Sequence, residues 1–200
     1  MMIDIVFEYI CPVLIVLWIM SGLARLAGFH YSSGSAIKGL LLLMSLLIAL
    51  FPVRGLSLSD YILSINPSFS IGTLALLILV VSNSVMRKRL LSHNDLMIFS
   101  GWNILVSLIV FIPALGFTGQ DIYSSGYGFS LFFVIMLAVT IYLVYRKSPV
   151  SYIFIAYILA FNLNLLPSEN LFDYITDGVL LFISLGIVIL PSYRADNIKS

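Results

Sequence analysis

The residues with the clearest capacity for chemistry lie near the end of the chain, in the segment FNLNLLPSENLFDYITDG, residues 161–178. Its carboxylates Glu169, Asp173 and Asp177 follow one another every four residues, which predicts that they share one face of a helix. Like charges at this spacing repel each other, and a helix N-terminus, a bound cation or Arg54 would offset the repulsion. The stripe is therefore a candidate site for a ligand, an ion or a proton.

The depth of this stripe follows from the apolar run behind it. About 13 uncharged residues, 178 to 190, span about 20 Å of a hydrocarbon core that is about 30 Å thick. Asp177, with Asp173 near it, is therefore expected below the outer headgroups, where ionisable groups usually face a protein interior or a wet cavity. Asn162 and Asn164 would complete an outward-facing polar vestibule. The alternative is that these acids mark the outer end of a helix that begins near Asp177.

A second candidate segment is RGLSLSDYILSINPSFSIG, residues 54–72. Ser57 and Asp60 have the spacing of a helix capping box, and Asn66 before Pro67 ends a helix. The apolar residues between them recur at helical spacing and form one face, composed of Leu58, Tyr61, Ile62 and Ile65. We therefore expect a short amphipathic helix, about 57–65, lying in the outer membrane interface, and Ser68 is a candidate cap for the helix that follows.

Three functions are open for this short helix. It can connect two membrane-spanning helices, it can cover a ligand site between helices, or it can bind a partner. Arg54 at its start is the only basic residue expected on the outer face, so it either pairs with an outer acid or holds an anionic headgroup. Arg54 and Asp60 are therefore candidate ligand-binding residues.

Several other chemistries lack the residues that they need. The chain has one cysteine, Cys11, and two histidines, His30 and His93, without metal-ligand spacing. No Walker A loop and no Rossmann fingerprint is present. A nucleophilic serine with a positioned base is not evident. We expect no metal, no cofactor and no nucleic-acid partner, and we favour a protein that is not an enzyme.

Composition sets the environment in which these residues act. Hydrophobic residues make up 61% of the chain, charged residues 10%, and the mean hydropathy is +1.12, whereas soluble domains carry about 25% charged residues. The chain is therefore predicted to be an all-α polytopic membrane protein. We treat residues 1–200 as a single transmembrane helical domain.

Seven apolar stretches have the length of a membrane-spanning helix, about 17 to 25 residues. The second, fifth and sixth are near the lower limit, so six spans and one re-entrant segment remain an alternative. The predicted spans are 6–27, 36–53, 69–86, 95–115, 127–146, 149–166 and 171–191.

The basic residues indicate the orientation. With the N-terminus outside and the C-terminus inside, Arg54 is the only one of the 10 basic residues on the outer side, as the positive-inside rule requires. An even number of spans would destroy this asymmetry. The basic residues assigned to the inner side are Arg25, Lys38, Arg87, Lys88, Arg89, Arg146, Lys147, Arg194 and Lys199.

These patterns predict an integral multi-pass protein of a bacterial inner (plasma) membrane. The favoured function is a non-catalytic component of a cell-envelope system that handles or scaffolds a lipid-linked or glycan substrate at its outer face. Its expected partners are the lipid bilayer and either a membrane protein or a lipid-linked glycan. The alternatives are a small transporter or channel that uses the outer carboxylates, and a membrane transferase that acts on a lipid or glycan.

Overall fold

The part of the chain that the structure describes is built from α-helices joined by turns and loops. This computed structural model describes residues 2–28, 35–117, 119 and 121–189, and these contain nine α-helices and no β-strand. Its contacts divide it into two compact units, unit 1 with Met1–Phe69 and Leu74–Leu90, and unit 2 with Ser70–Thr73 and Leu91–Ser200. The all-α prediction is confirmed for the described residues, and the single-domain prediction stays a prediction.

Unit 1 is built from α1 (Met2–Leu26), α2 (Ser35–Leu50), α3 (Leu58–Ile65) and most of α4 (Ile71–Val81), which continues as a π-helical turn, Ser82–Met86. Arg25 donates a hydrogen bond to the carbonyl oxygen of Ser84 in this π turn. Among the described residues of this unit, buried apolar side chains form two clusters, namely Val13, Val16 and Ala49, and Leu17, Val81 and Val85.

The short helix α3 forms where the capping pattern predicts it. Ser57 is the N-cap, its hydroxyl accepts the backbone N–H of Asp60, and the Asp60 carboxylate accepts the backbone N–H of Ser57. The helix ends at Asn66, before the proline. Its buried residues are Ser59 and Leu63, so the predicted apolar face is largely exposed. The reason is that the Ser59 hydroxyl donates to the carbonyl oxygen of Ala49 at 2.8 Å, which turns that side of α3 inward.

Unit 2 contains five helices and a 3₁₀ turn around an aromatic core. The helices are α5 (His93–Ala114), α6 (Leu131–Tyr145), α7 (Val150–Asn162), α8 (Leu171–Ile175) and α9 (Gly178–Ile189), and the turn is Tyr123–Gly126. Within unit 2, α5 packs most extensively against α9. The largest fully buried side chains of this unit are Phe99, Phe154, Tyr157, Phe172 and Tyr174.

The last predicted span, 171–191, is not one continuous helix. After α8, Thr176 is extended, with φ −141° and ψ 151°, and α9 begins at Gly178. Glu169 precedes α8 and Asp177 lies in the break, so the three carboxylates do not form one helical stripe. The residues that end this predicted span, 190 and 191, lie outside the described residues, as do Arg194 and Lys199.

Two helices in the described part of the chain are long and apolar enough to cross a membrane. They are Glu8–Leu26, with 19 residues, and His93–Ala114, with 22 residues. Apolar helices of 10–17 residues lie at the other five predicted spans, namely Ala36–Leu50, Ile71–Met86, Leu131–Tyr145, Val150–Asn162 and Gly178–Ile189. A helix of 16 residues covers only about 24 Å, so length alone supports two spans and not seven.

Candidate functional site

The most enclosed carboxylate of unit 2 is Asp177, in the break between α8 and α9. Only 8% of its surface is exposed. Its Oδ2 accepts hydrogen bonds from the backbone N–H of Ser70 at 2.7 Å and from the Thr73 hydroxyl at 2.6 Å, and its Oδ1 accepts the backbone N–H of Leu180 at 2.9 Å. Three donors therefore surround a single buried acid.

Two helix N-termini supply these donors. Ser70 precedes α4 and its hydroxyl accepts the N–H of Thr73 at 3.1 Å, which makes Ser70, and not Ser68, the cap of this helix. Leu180 lies in the first turn of α9. Unsatisfied N–H groups and the positive dipole end of a helix both favour a negative charge. The geometry therefore makes Asp177 a cap for two helices at once.

Gly72 permits the first turn of α4 to reach this place. A Cβ atom at Gly72 would lie 2.4 Å from the carbonyl oxygen of Ile175, 2.5 Å from a methyl carbon of Leu180 and 3.0 Å from the Tyr157 hydroxyl oxygen. Any larger side chain would therefore separate α4 from the break. Close approach of backbones, rather than an unusual φ angle, explains the glycine.

A second polar contact crosses from α5 to the same break. The hydroxyl oxygens of Ser107 and Thr176 are 2.5 Å apart, and both residues are buried. Ser100 and Asn103 share the buried face of α5 with Ser107. The sequence prediction did not assign these three residues to the site, although their spacing of three and four residues is the signal of one helix face.

Asp173 fastens the 3₁₀ turn to α8. Its Oδ2 accepts hydrogen bonds from the Tyr123 hydroxyl at 2.8 Å and from the Ser168 hydroxyl at 2.5 Å. The Asn170 side chain donates to the carbonyl oxygen of Tyr123 at 2.8 Å. Burial, and then the hydrogen bond to Asp173, raise the pKa of Tyr123 above its usual value of 10.0. The contact is therefore a neutral phenol that donates to a carboxylate.

The remaining predicted site residues of unit 2 are exposed. Asn162 donates from its side chain to the carbonyl oxygen of Ile158 at 2.7 Å. Asn164 has φ 48°, a left-handed conformation that often ends a helix. Glu169 lies in the loop before α8. Neither asparagine hydrogen-bonds to Asp173 or Asp177, and the vestibule that would unite all of these residues stays a prediction.

In unit 1, Asp60 receives three hydrogen bonds at the start of α3. They come from the Ser57 backbone N–H at 2.6 Å, the Ser57 hydroxyl at 2.7 Å and the Tyr9 hydroxyl at 2.7 Å. The backbone hydrogen bond from Ser57, and then the one from Tyr9, lower the pKa of Asp60 below its usual value of 3.8. Asp60 therefore caps α3 and ties it to α1.

Arg54 occupies the tip of a two-residue turn between α2 and α3. Arg54 has φ 57° and Gly55 has φ 89°, and two backbone hydrogen bonds between Val53 and Leu56, at 2.8 and 3.3 Å, close the turn. Positive φ at both central residues matches a type I′ turn. The side chain is exposed, and no carboxylate within 8–28, 36–117, 119 and 121–189, where the side chains are described, forms an ion pair with it. Its basic group therefore extends from a fixed backbone.

The described residues do not bring together the ligands of a metal site. Among the residues whose side chains the structure describes, 8–28, 36–117, 119 and 121–189, no group of three or more His, Cys, Asp or Glu is placed to hold a metal ion. The described residues provide instead a buried carboxylate, Asp177, that caps two helices, and an exposed basic residue, Arg54, at the tip of a turn.

Comparison with protein-family models, with curated proteins and with solved structures finds no match for this chain. The function must therefore be argued from the chain's own residues.

Proposed function

We propose that this chain is an integral membrane protein in which all seven apolar segments lie in the membrane, with the N-terminus outside and the C-terminus inside, and that it belongs to the inner (plasma) membrane of a bacterium. Burial supports this placement. Only 28% of the apolar stretch in Glu8–Leu26 and 33% of that in His93–Ala114 is buried, whereas a core helix of a soluble protein is buried for most of its length. Large apolar side chains such as Phe117, Phe129 and Phe182 are also exposed, which is stable in lipid and costly in water.

Residues Arg54, Leu58, Tyr61 and Ile65 are together called the α3 surface. The three apolar or aromatic members are 40%, 52% and 85% exposed, although α3 is held by a capping box and by packing to α1 and α2. A short helix with a fixed backbone and an outward apolar side is suited to the membrane interface. The α3 surface therefore combines one cation with a hydrophobic platform.

The function that these residues support is a non-catalytic component of a cell-envelope system that holds a lipid-linked substrate at the outer face. Arg54 would bind a phosphate-bearing headgroup, because a guanidinium group pairs with two phosphate oxygens at once. Tyr61 and its apolar neighbours would contact the lipid chain or a sugar attached to it. The observation that carries the proposal is Arg54 itself, a cation fixed by a type I′ turn next to the exposed side of α3, without an acidic partner among the described residues.

The carboxylates support a non-catalytic role. Asp60, Asp95, Asp173 and Asp177 all accept hydrogen bonds from nearby hydroxyl groups, and all four lie at helix N-termini. A carboxylate that already receives two or three hydrogen bonds in its resting state is a poor general base. These acids are better explained as structural groups.

Native mass spectrometry of the gently extracted protein tests this proposal. We expect the wild-type chain to retain an anionic, phosphate-bearing lipid, Arg54→Gln to lose it, and Arg146→Gln to keep it, because Arg146 is also exposed but is assigned to the inner side. Equal lipid retention in wild type and Arg54→Gln would contradict the proposal. A stoichiometric protein in place of the lipid would shift the assignment from substrate handling to a scaffold for that partner.

The second candidate function is a small transporter or channel. The observation in its favour is the break between α8 and α9, because interrupted helices often form the substrate sites of transporters. It predicts that Asp177→Asn abolishes flux in liposomes while the variant remains folded. Unchanged flux in that variant would remove Asp177 from any transport mechanism.

A further inference from the structure

Unit 2 contains a set of buried polar side chains that the proposed function does not use. Ser100 and Asn103 of α5, Tyr157 of α7 and Ser184 of α9 are all fully buried. Their polar atoms Ser100 Oγ, Asn103 Nδ2 and Oδ1, Tyr157 Oη and Ser184 Oγ have no hydrogen-bond partner among the described residues. These four residues are called the α5–α9 polar group.

Helix packing places three of the four side chains at one interface. The buried residues of α9 are Leu180, Ser184 and Ile187, which lie on one face, and α5 is the helix against which α9 packs most. Ser184 therefore lies on the buried face of α9. Ser100 and Asn103 lie on the buried face of α5, the helix that packs most against α9.

The contact between Ser107 and Thr176 sets the level of these residues. Because α5 and α9 run antiparallel in the proposed topology, Ser100 lies about 10 Å from this contact along α5, and Ser184 lies about 9 Å from the start of α9. In that topology the two serines would lie at a similar level, and Asn103 would lie between that level and the break.

Tyr157 reaches this region from α7. The ring of Trp102, next to Asn103 on α5, lies 5.2 Å from the ring of Phe154, and Phe154 lies 5.7 Å from Tyr157. The Tyr157 hydroxyl also points toward the break, since it lies 3.0 Å from the place of a Cβ atom at Gly72. The four side chains thus come from three helices of one unit.

We infer that the α5–α9 polar group binds buried water molecules inside unit 2. Five polar atoms without partners would together cost about as much free energy as the whole folding stability of a typical domain. Buried waters normally make about three hydrogen bonds each to such groups. The polar group supplies both donors and acceptors, which is the combination that water satisfies.

The chemistry favours water over a metal cation. A cation accepts only lone pairs, so it would leave Asn103 Nδ2 without a partner. Asp177, in the break, already receives three hydrogen bonds, and the two helix N-termini that supply them disfavour a positive charge nearby. Water places no charge in the interior.

X-ray radiolysis of the full chain in lipid nanodiscs tests the inference, because it turns bound waters into hydroxyl radicals that oxidise adjacent side chains. Tyr174 is the matched control. It is as fully buried as Tyr157, but its hydroxyl accepts the N–H of Leu166 at 3.2 Å and lies 3.0 Å from the carbonyl oxygens of Leu166 and Ser168. We expect Tyr157 to be oxidised about tenfold faster than Tyr174, since only Tyr157 would touch buried water.

Two variants test whether the waters occupy one shared site. Asn103→Leu removes the central polar side chain at similar volume, and Ser184→Val fills the facing position with apolar atoms. Each should reduce the oxidation of Tyr157 severalfold and leave that of Tyr174 unchanged. Protection of Tyr157 equal to that of Tyr174 in the wild-type chain would overturn the inference without any variant, and unchanged oxidation of Tyr157 in a folded variant would overturn the shared site.

This experiment is independent of the lipid test on Arg54. Lipid retention reports on the α3 surface in unit 1, whereas radiolysis reports on side chains inside unit 2. If one of the two proposals fails, the experiment on the other can therefore still be interpreted.

Discussion

Asp60 in unit 1 and Asp177 in unit 2 are the same chemical device in two settings. Each carboxylate accepts three hydrogen bonds at distances of 2.6–2.9 Å, and each set includes a serine backbone N–H and a hydroxyl at the start of a helix. Asp60 is partly exposed, and two of its donors come from Ser57, three residues earlier. Asp177 is buried, and two of its donors lie 107 and 104 residues away.

The difference indicates that burial, and not the number of hydrogen bonds, decides how much such an acid contributes to the stability of the fold. Water can replace a lost hydrogen bond at the start of α3, so loss of the acid there has a local effect. Around Asp177 the donors are buried, and a donor left without a partner pays its full desolvation cost. We therefore expect Asp60 to set the order of one short helix and Asp177 to hold a whole unit together.

The strongest test of this comparison removes each carboxylate. Asp177→Ala should lower the free energy of unfolding by about 3 kcal/mol or more, because it strands three buried donors, and should lower the Tm by about 6–12 °C for a chain of this size. Asp60→Ala should lower the Tm much less. The decrease in Tm for Asp177→Asn should lie between the decreases for the two alanine variants, because asparagine keeps one acceptor oxygen. Thermal unfolding in detergent, followed by circular dichroism, measures all three. Equal Tm values for the two alanine variants would break the comparison.

Gly72→Ala provides the next largest expected effect. The new Cβ atom would lie 2.4 Å from the Ile175 carbonyl oxygen, so α4 must move away from the break, at a cost of about 1–3 kcal/mol. Gly101→Ala is the control, since a Cβ atom there meets nothing within 4 Å and α5 would gain up to about 1 kcal/mol from the better helix former. Differential scanning calorimetry of both variants checks the opposite signs, and a stabilised Gly72→Ala variant would show that the close approach is not needed.

Ser57→Ala tests the capping box of α3, which is the exposed counterpart of the buried cap at Asp177. Loss of the N-cap should cost about 1 kcal/mol and should act within α3, with faster amide hydrogen exchange over Leu58–Ile65 and little change in unit 2. Ser64→Ala is the matched control, because the Ser64 hydroxyl is exposed and donates only to the carbonyl oxygen of Tyr61 in the same helix. Faster exchange spread over both units would mean that α3 supports far more of the fold than the comparison allows.

The smallest expected effect is a shift in the pKa of Asp60. Because its pKa is lowered by folding, Asp60 stabilises the folded state above the unfolded value of about 3.9, and this contribution is lost as the pH falls through the folded value. Tyr9→Phe removes one hydrogen bond to the carboxylate, so the folded pKa should rise toward the unfolded value. An NMR titration of the Asp60 carboxyl carbon measures it. Tyr61→Phe, which alters an exposed tyrosine on α3, should leave the titration midpoint unchanged.

Local patterns in the sequence predicted the parts of the fold that depend on neighbours along the chain. Seven apolar segments gave seven apolar helices, and the spacing of Ser57 and Asp60 gave the capping box of α3. The orientation of α3 was not predictable in the same way. Its face with the greater hydrophobicity remains largely exposed, because Ser59 bonds to a carbonyl group of α2 and turns the helix.

The candidate site illustrates the same limit. The sequence identified Asp173 and Asp177 as residues of interest from their spacing and depth, but it placed them on one continuous helix with Glu169. It could not reveal that α8 ends at Ile175, because the residues that stabilise the break come from α4 and α5. Tyr123, Ser107 and Thr73 became visible as partners only once the helices were packed.

The sequence by itself determined that the chain is helical and strongly apolar, where its apolar segments lie, and how α3 begins and ends, because these properties depend on composition and on contacts within about four residues. The tertiary structure alone decided that Asp177 joins the starts of α4 and α9, that Asp173 holds the 3₁₀ turn, and that four polar side chains from three helices are buried inside unit 2. Those pairings join residues up to 107 positions apart. No local spacing in the sequence predicts these pairings. The hydrogen-bond donors that reach a buried acid depend on how the helices pack.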